Sequence, residues 1–183
     1  ETSIGIYPGL GGSQRPARIC GIPAARWAVL AGNFMDAKTA NDLGLITHLV
    51  DVAAVDEVVL QISNQGKPAN KYPGQAANPQ SPVVQFANNF FADENMSDIM
   101  NGVCPQGFDA EDKQVARQMK SLKFTAPIAL AKASELIDAT TSTDLSAGLA
   151  LELAGLNGIF STADSLEGLS ALIEGRRPTY TNQ

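Results

Sequence analysis

The chain has 183 residues, 44% apolar and 17% charged, with a formal net charge of −6 at pH 7. That length and balance suit one domain with a real core and exclude a disordered chain. The acidic charge excludes general nucleic-acid binding, which needs clustered Lys and Arg, and no apolar run is long enough to span a bilayer.

Glu1 to Tyr7 reads as the end of a strand or an ordered loop, and Pro8-Gly9-Leu10-Gly11-Gly12 as a turn. The chain starts inside this structured segment, which predicts a preceding part of a longer protein. A helix is expected from Ser13 to Ile19, closed by Gly21. A second runs from Pro23 to Ala31, with Pro in its first turn and Gly32 beyond its end. Asp36 caps a short helix through Leu43, stopped by Gly44. Leu45 to Val50 is β-rich and predicts a strand, and Val55 to Ser63 a helix.

Gly66 to Pro82 is rich in Gly, Pro, Asn and Gln and reads as a long surface loop. Helices follow over Val83–Phe91, Met96–Asn101, Asp109–Leu122 and Pro127–Ala139. One more runs from Thr143 or Asp144 towards Phe160, with Leu145, Leu149, Leu153, Leu156 and Phe160 on one apolar face. The last spans Ser165 to Glu174, before a tail that is basic and then polar. Few strands and several amphipathic helices describe an incomplete α/β fold, whose helix faces need a missing N-terminal part or neighbouring subunits to pack on. Cys20 and Cys104 are far apart without metal-ligand spacing, and read as reduced thiols of a cytoplasmic protein.

The segment from Glu1 through Gly5 to Pro8-Gly9-Leu10-Gly11-Gly12-Ser13-Gln14-Arg15 resembles the signature of the crotonase (enoyl-CoA hydratase/isomerase) superfamily. That signature has an acidic residue followed by Gly, then Pro-Gly-x-Gly-Gly-Thr/Ser-Gln-Arg. The resemblance continues through Ala24 to Gly32, Asp36-Ala37 and Gly44-Leu45-Ile46, then resumes at Phe160 to Asp164, Glu167-Gly168-Leu169 and Glu174 to Pro178. It implies the C-terminal half of an α/β spiral fold of the ClpP/crotonase kind, mainly helical with few strands. Residues 1–64 would end the spiral core and carry the active-site segment, 65–126 would be an inserted loop and helices, and 127–183 a helical oligomerisation region.

In that family water adds across an α,β-unsaturated thioester, one carboxylate activating the water and another handling the proton at the α-carbon. By resemblance Glu1 is the second of these, a general acid in the hydration direction. Two backbone N–H groups stabilise the enolate-like oxygen; these donors and the first glutamate belong to the half that precedes Glu1, so the chain alone is expected to be inactive. Gly9 has two readings: its backbone lies beside the reacting centre, or it makes the turn. Trp27 and Leu30 are core residues that the resemblance also places near an acyl pocket. Arg176 and Arg177 suit the phosphates of coenzyme A, although the aromatic and lysine of relatives align with Leu172 and Gly175. His48, the only histidine, reads as structural or surface. Arg15 and Arg18 read as structural contacts.

The resemblance implies no metal and no redox cofactor, coenzyme A entering only as part of the acyl-CoA substrate. It also implies a homotrimer or hexamer, with no nucleic-acid or membrane partner. The parent activity is reversible hydration of 2-enoyl-CoA. Phe90 to Ile99 and Ala116 to Lys120 resemble the extra helices of the 3-hydroxyisobutyryl-CoA hydrolase branch, so thioester hydrolysis is one alternative. That branch usually carries an acidic residue at the position of Gly9. A double-bond isomerase using a single Glu, and an oligomerisation module inactive on its own, are the others.

Overall fold

The computed structural model describes residues 1–65 and 77–183. Ten α-helices are seen among these residues: α1 (Arg15–Cys20), α2 (Ile22–Val29), α3 (Ala37–Asp42), α4 (Val55–Asn64), α5 (Pro82–Phe90), α6 (Met96–Met100), α7 (Lys113–Lys123), α8 (Pro127–Asp138), α9 (Leu145–Phe160) and α10 (Ala163–Glu174). Short 3₁₀ turns lie at Thr2–Ile4, Val52–Ala54, Asp93–Asn95 and Ala139–Thr141.

The helix boundaries follow local chemistry. Asp36, Asp112, Asp144 and Thr162 each accept a backbone N–H of the helix that follows them. Such caps satisfy donors that have no partner inside the helix. Proline occupies the first turn of α1, α2, α5 and α8, where its missing N–H costs nothing. Gly175 ends α10 at a φ of 67°, in the left-handed region.

The core is built from α2, α5 and α8. Leu30, Phe90, Phe91, Ala129, Ala133 and Ile137 are fully or almost fully buried. Phe90 stacks on Phe86 and meets Phe108 edge-on, both at 5.0 Å between centroids. Arg26 is buried in this layer. It donates to Asp93 and Asp138 at 2.7 Å and to the Phe91 carbonyl at 3.0 Å, tying α2 to α8 and to the turn after α5.

Several expectations are corrected. Leu45 to Val50 is irregular, and His48, Leu49 and Val50 are exposed. A strand needs a neighbour to take its N–H and C=O groups, and no strand occurs among the described residues. Of the two readings of Glu1 to Tyr7 the ordered loop holds, opening with a 3₁₀ turn at Thr2–Ile4. The first helix starts at Arg15, because residues 11–14 form turns. Residues 66–76 of the expected surface loop lie outside the described residues. Its final part is anchored, with the Asn78 N–H donating to the Asp42 carbonyl at 2.7 Å and the Ser81 hydroxyl to the Asp42 carboxylate at 2.9 Å.

The apolar row of α9 is only partly covered by this chain: Leu156 packs half-buried against the core and Leu149 is half-buried. Leu153 and Phe160 are 71% and 52% exposed, whereas Gly148, Glu152 and Ile159 are the buried positions. Side chains three and four apart share a face, so this buried row is the one adjacent to the leucine row. Close approach explains the choice: a β-carbon on Gly148 would collide with the Gln14 side chain, and one on Gly155 would lie 2.7 Å from the Tyr7 hydroxyl.

Candidate active site

The first residues are held in place from three directions. The buried Thr2 hydroxyl donates to the carbonyls of Val29 and Leu30 at 3.2 and 3.4 Å, which fastens it to the C-terminal end of α2. The Thr2 carbonyl accepts the Ala126 N–H at 3.0 Å, just ahead of α8. On the third side α10 packs backbone to backbone: a β-carbon on Gly168 would fall on the Ile4 carbonyl, and one on Gly5 on the Asp164 carbonyl. The main chain beside Glu1 is therefore fixed while its side chain remains exposed. Its own carbonyl accepts from Ile4 at 2.9 Å and Ile6 at 3.3 Å.

The turn after Tyr7 is held by a residue that sequence reasoning missed. Glu152 on α9 is 3% exposed. Its carboxylate accepts the Gly11 N–H at 2.6 Å, the Ser13 N–H at 3.0 Å and the Ser13 hydroxyl at 2.6 Å, and its carbonyl accepts the Tyr7 hydroxyl at 2.5 Å. A buried carboxylate is tolerable only with such partners. Desolvation, and then the charge of Glu152, hold the Tyr7 phenol above its usual pKa. Gln14 extends the network, donating to the Ser13 hydroxyl at 3.0 Å and to the Leu136 carbonyl at 2.6 Å. The available sequence signal was that Glu152 is the single charged residue between Leu145 and Phe160.

Within this turn Gly11 has a φ of +87°, and a β-carbon there would overlap the Arg15 guanidinium. Its glycine is explained by the turn itself. Gly9 is different. It is not among the positive-φ glycines, and a β-carbon on it would meet only Leu156, at an ordinary 3.9 Å. Its carbonyl accepts the Gly12 N–H at 2.9 Å, so Gly9 takes part in the turn without needing a left-handed backbone, and its own N–H has no acceptor among the described residues.

The other expected site residues are spread out. Leu30 is fully buried and Trp27 is 7% exposed, both in the core, and the Leu30 carbonyl is one of the two that hold Thr2. Arg176 is engaged: it forks onto Glu167 at 2.6 and 2.8 Å and donates to Glu174 at 2.5 Å. Arg176 first, and then the Thr179 N–H, lower the Glu167 carboxyl to a pKa of about 2. Arg177 lies over the Phe124 ring, 5.4 Å from its centroid. The tail beyond is pinned by the buried Asp164, which accepts from Thr181 at 2.7 Å and Asn182 at 3.1 Å, while the Tyr180 hydroxyl donates to the Ser3 carbonyl at 2.5 Å. The tail thus returns to the Glu1 segment. Arg15 donates to the Leu10 carbonyl, and Arg18 to those of Thr143 and Asp144 at 2.8 and 3.0 Å, both structural contacts.

Cys20 and Cys104 are free, and burial raises the Cys20 thiol to about 11. Among the described residues no helix is long and apolar enough to cross a membrane, and no three His, Cys, Asp or Glu side chains converge as a metal requires.

Comparison with known proteins gives a consistent picture. The family model described as enoyl-CoA hydratase/isomerase matches residues 1–183. An enoyl-CoA isomerase/hydratase of Mycosarcoma maydis is 25% identical over 183 residues, covering 100% of this chain and 46% of the relative. The mitochondrial methylglutaconyl-CoA hydratase of Homo sapiens is 27% identical, covering 100% and 39%. A probable mitochondrial enoyl-CoA hydratase of Arabidopsis thaliana is 23% identical over 181 residues, covering 99% and 42%. The chain spans less than half the length of each of these relatives. No solved structure matches it.

Proposed function

The chain belongs to the enoyl-CoA hydratase/isomerase family, and on that premise we propose that it supplies the proton-transfer carboxylate of an enzyme that adds water reversibly to 2-enoyl-CoA. The observation that carries this reading is the anchoring of the Glu1 segment. The Thr2 hydroxyl, the Thr2 carbonyl and the packing of Ile4 and Gly5 on α10 fix the segment beside it, and none of these ties consumes the Glu1 carboxyl group.

In the proposed reaction the oxygen of water bonds to the β-carbon and the double bond opens towards the thioester, placing charge on the thioester oxygen. Protonated Glu1 then delivers its proton to the α-carbon and is left as a carboxylate, while a second carboxylate takes the proton lost by water. A rigid main chain suits this role, since proton transfer requires hydrogen-bond reach. The unengaged Gly9 N–H supports a place beside the reacting atoms. The second carboxylate and the oxyanion donors would come from a preceding portion of the protein, which agrees with the greater length of the relatives.

The acyl chain would lie towards Trp27 and Leu30. Arg177 is the better placed of the two tail arginines for a coenzyme A phosphate, since Arg176 would first have to leave Glu167 and Glu174. The exposed Leu153, Phe160, Leu172 and Ile173 of α9 and α10 support assembly into a homotrimer or hexamer. Two of the relatives are named mitochondrial, so a mitochondrial address stands beside the cytoplasmic one that the free thiols suggest.

The test is turnover by the full-length protein carrying this chain, offered crotonyl-CoA and 3-hydroxyisobutyryl-CoA separately. Hydration predicts loss of the conjugated enoyl-thioester absorbance with crotonyl-CoA and no release of free coenzyme A thiol. Thiol release from 3-hydroxyisobutyryl-CoA alone would replace hydration by hydrolysis, and inertness towards both would leave an assembly role.

A further inference from the structure

We infer that Glu152 is a positioning residue for this site, its buried carboxylate setting the shape of the turn that presents Gly9. The inference rests on the hydration reading above and adds a residue on a distant helix to it.

The turn is not shaped by its own sequence alone. Leu10 has a φ of +54°, a region that residues with a side chain rarely occupy, and its side chain is 96% exposed. No burial of Leu10 within this chain offsets that conformation. The neighbouring Gly11 is also left-handed, at +87°. A turn that brings neighbouring backbone N–H groups to face one point forms a concavity that suits an anion. Here the anion is the Glu152 carboxylate, with one oxygen 2.6 Å from the Gly11 nitrogen and the other 3.0 Å from that of Ser13. The Ser13 hydroxyl closes the ring at 2.6 Å.

Gly9 and Leu10 lie between these anchored residues and Tyr7, whose hydroxyl is bound to the carbonyl of the same glutamate. Glu152 thus holds both ends of the segment without a hydrogen bond to Gly9 itself. It acts through the turn. Removing its charge would leave two N–H groups turned towards a poor acceptor, and the turn would relax to a conformation that Leu10 prefers. The Gly9 N–H would move with it.

The test uses the full-length protein. Glu152→Gln keeps the volume but replaces one acceptor oxygen with a donor. The expected result is a fall in kcat for crotonyl-CoA of about tenfold to a hundredfold, the scale of a misplaced catalytic group. KM should stay within about twofold of wild type, and amide exchange at Gly11 and Ser13 should quicken. Ser13→Ala removes only the hydroxyl donor. It should lower kcat by a smaller factor at unchanged KM, and it carries the test if Glu152→Gln does not fold. Asp42→Asn cuts a buried tie elsewhere, between α3 and Ser81; it should lower Tm and leave kcat unchanged. Wild-type kcat in folded Glu152→Gln or in Ser13→Ala would overturn the inference, as would an equal loss of kcat in Asp42→Asn. Wild-type protein that hydrates no enoyl-CoA would overturn the functional reading and this role with it, while amide exchange at Gly11 and Ser13 would still report whether the carboxylate shapes the turn.

Discussion

Gly168 on α10 lies so close beneath Ile4 that a β-carbon on it would come within 2.8 Å of the Ile4 α-carbon and nearer still to its carbonyl. The obstruction is main chain, which cannot rotate aside like a side chain. This contact sets how near the Glu1 segment approaches the C-terminal helices.

Gly168→Ala should therefore destabilise the fold by about 1–3 kcal/mol, the usual range for overpacking, despite the better helix propensity of alanine. Urea unfolding would measure it. An unchanged midpoint would mean that α10 and the first residues are further apart than described.

Thr2→Val tests the tie to α2. The two side chains have nearly the same shape, but valine cannot donate to the Val29 and Leu30 carbonyls. The expected loss is about 1–3 kcal/mol, because buried acceptors lose their partner. Amide exchange should rise locally over Thr2–Ile4. A variant as stable as wild type would show that the Thr2 hydroxyl does not anchor the segment.

These anchors were only partly legible in the sequence. The cap at Asp36 and the prolines opening α2 and α8 could be read, and the start of α9 narrowed to Thr143 or Asp144, because each signal acts within a few residues of itself. The strand expected over Leu45–Val50 failed because strand structure depends on a partner, which β-propensity does not reveal. The burial of Glu152 was hidden for a related reason. Leu145, Leu149, Leu153, Leu156 and Phe160 form the more apolar row, yet glycine spacing and the donors on a distant turn draw the Gly148, Glu152 and Ile159 row inward. For the site, the motif pointed to Glu1 and Gly9. The residues that hold them, Thr2, Glu152 and Gly168, depend on contacts across more than twenty positions of sequence.

The C-terminal tail should respond to acid late. Arg176 holds the Glu167 carboxyl at about 2, below its ordinary 4.5. A depressed carboxylate contributes above its unfolded value, and the contribution is lost as pH falls from there through the folded value. The stability from the Arg176 and Thr179 contacts should thus be complete at pH 5 and decline between pH 4.5 and about 2, the carboxyl of the folded protein titrating only at about 2. The Thr179 amide shift, followed by NMR against pH, would show it. A midpoint near 4.5 would mean that the ion pair does not form in solution.

The central claim is that the Glu1 carboxyl exchanges a proton with the α-carbon of a bound thioester. Glu1→Gln in the full-length protein, compared with wild type for crotonyl-CoA hydration and for deuterium uptake at the product α-carbon in heavy water, tests this directly. The account predicts that both rates fall by about 10²- to 10⁴-fold, the usual worth of a positioned acid, with KM little changed. Hydration and α-carbon labelling at wild-type rates in Glu1→Gln would contradict it.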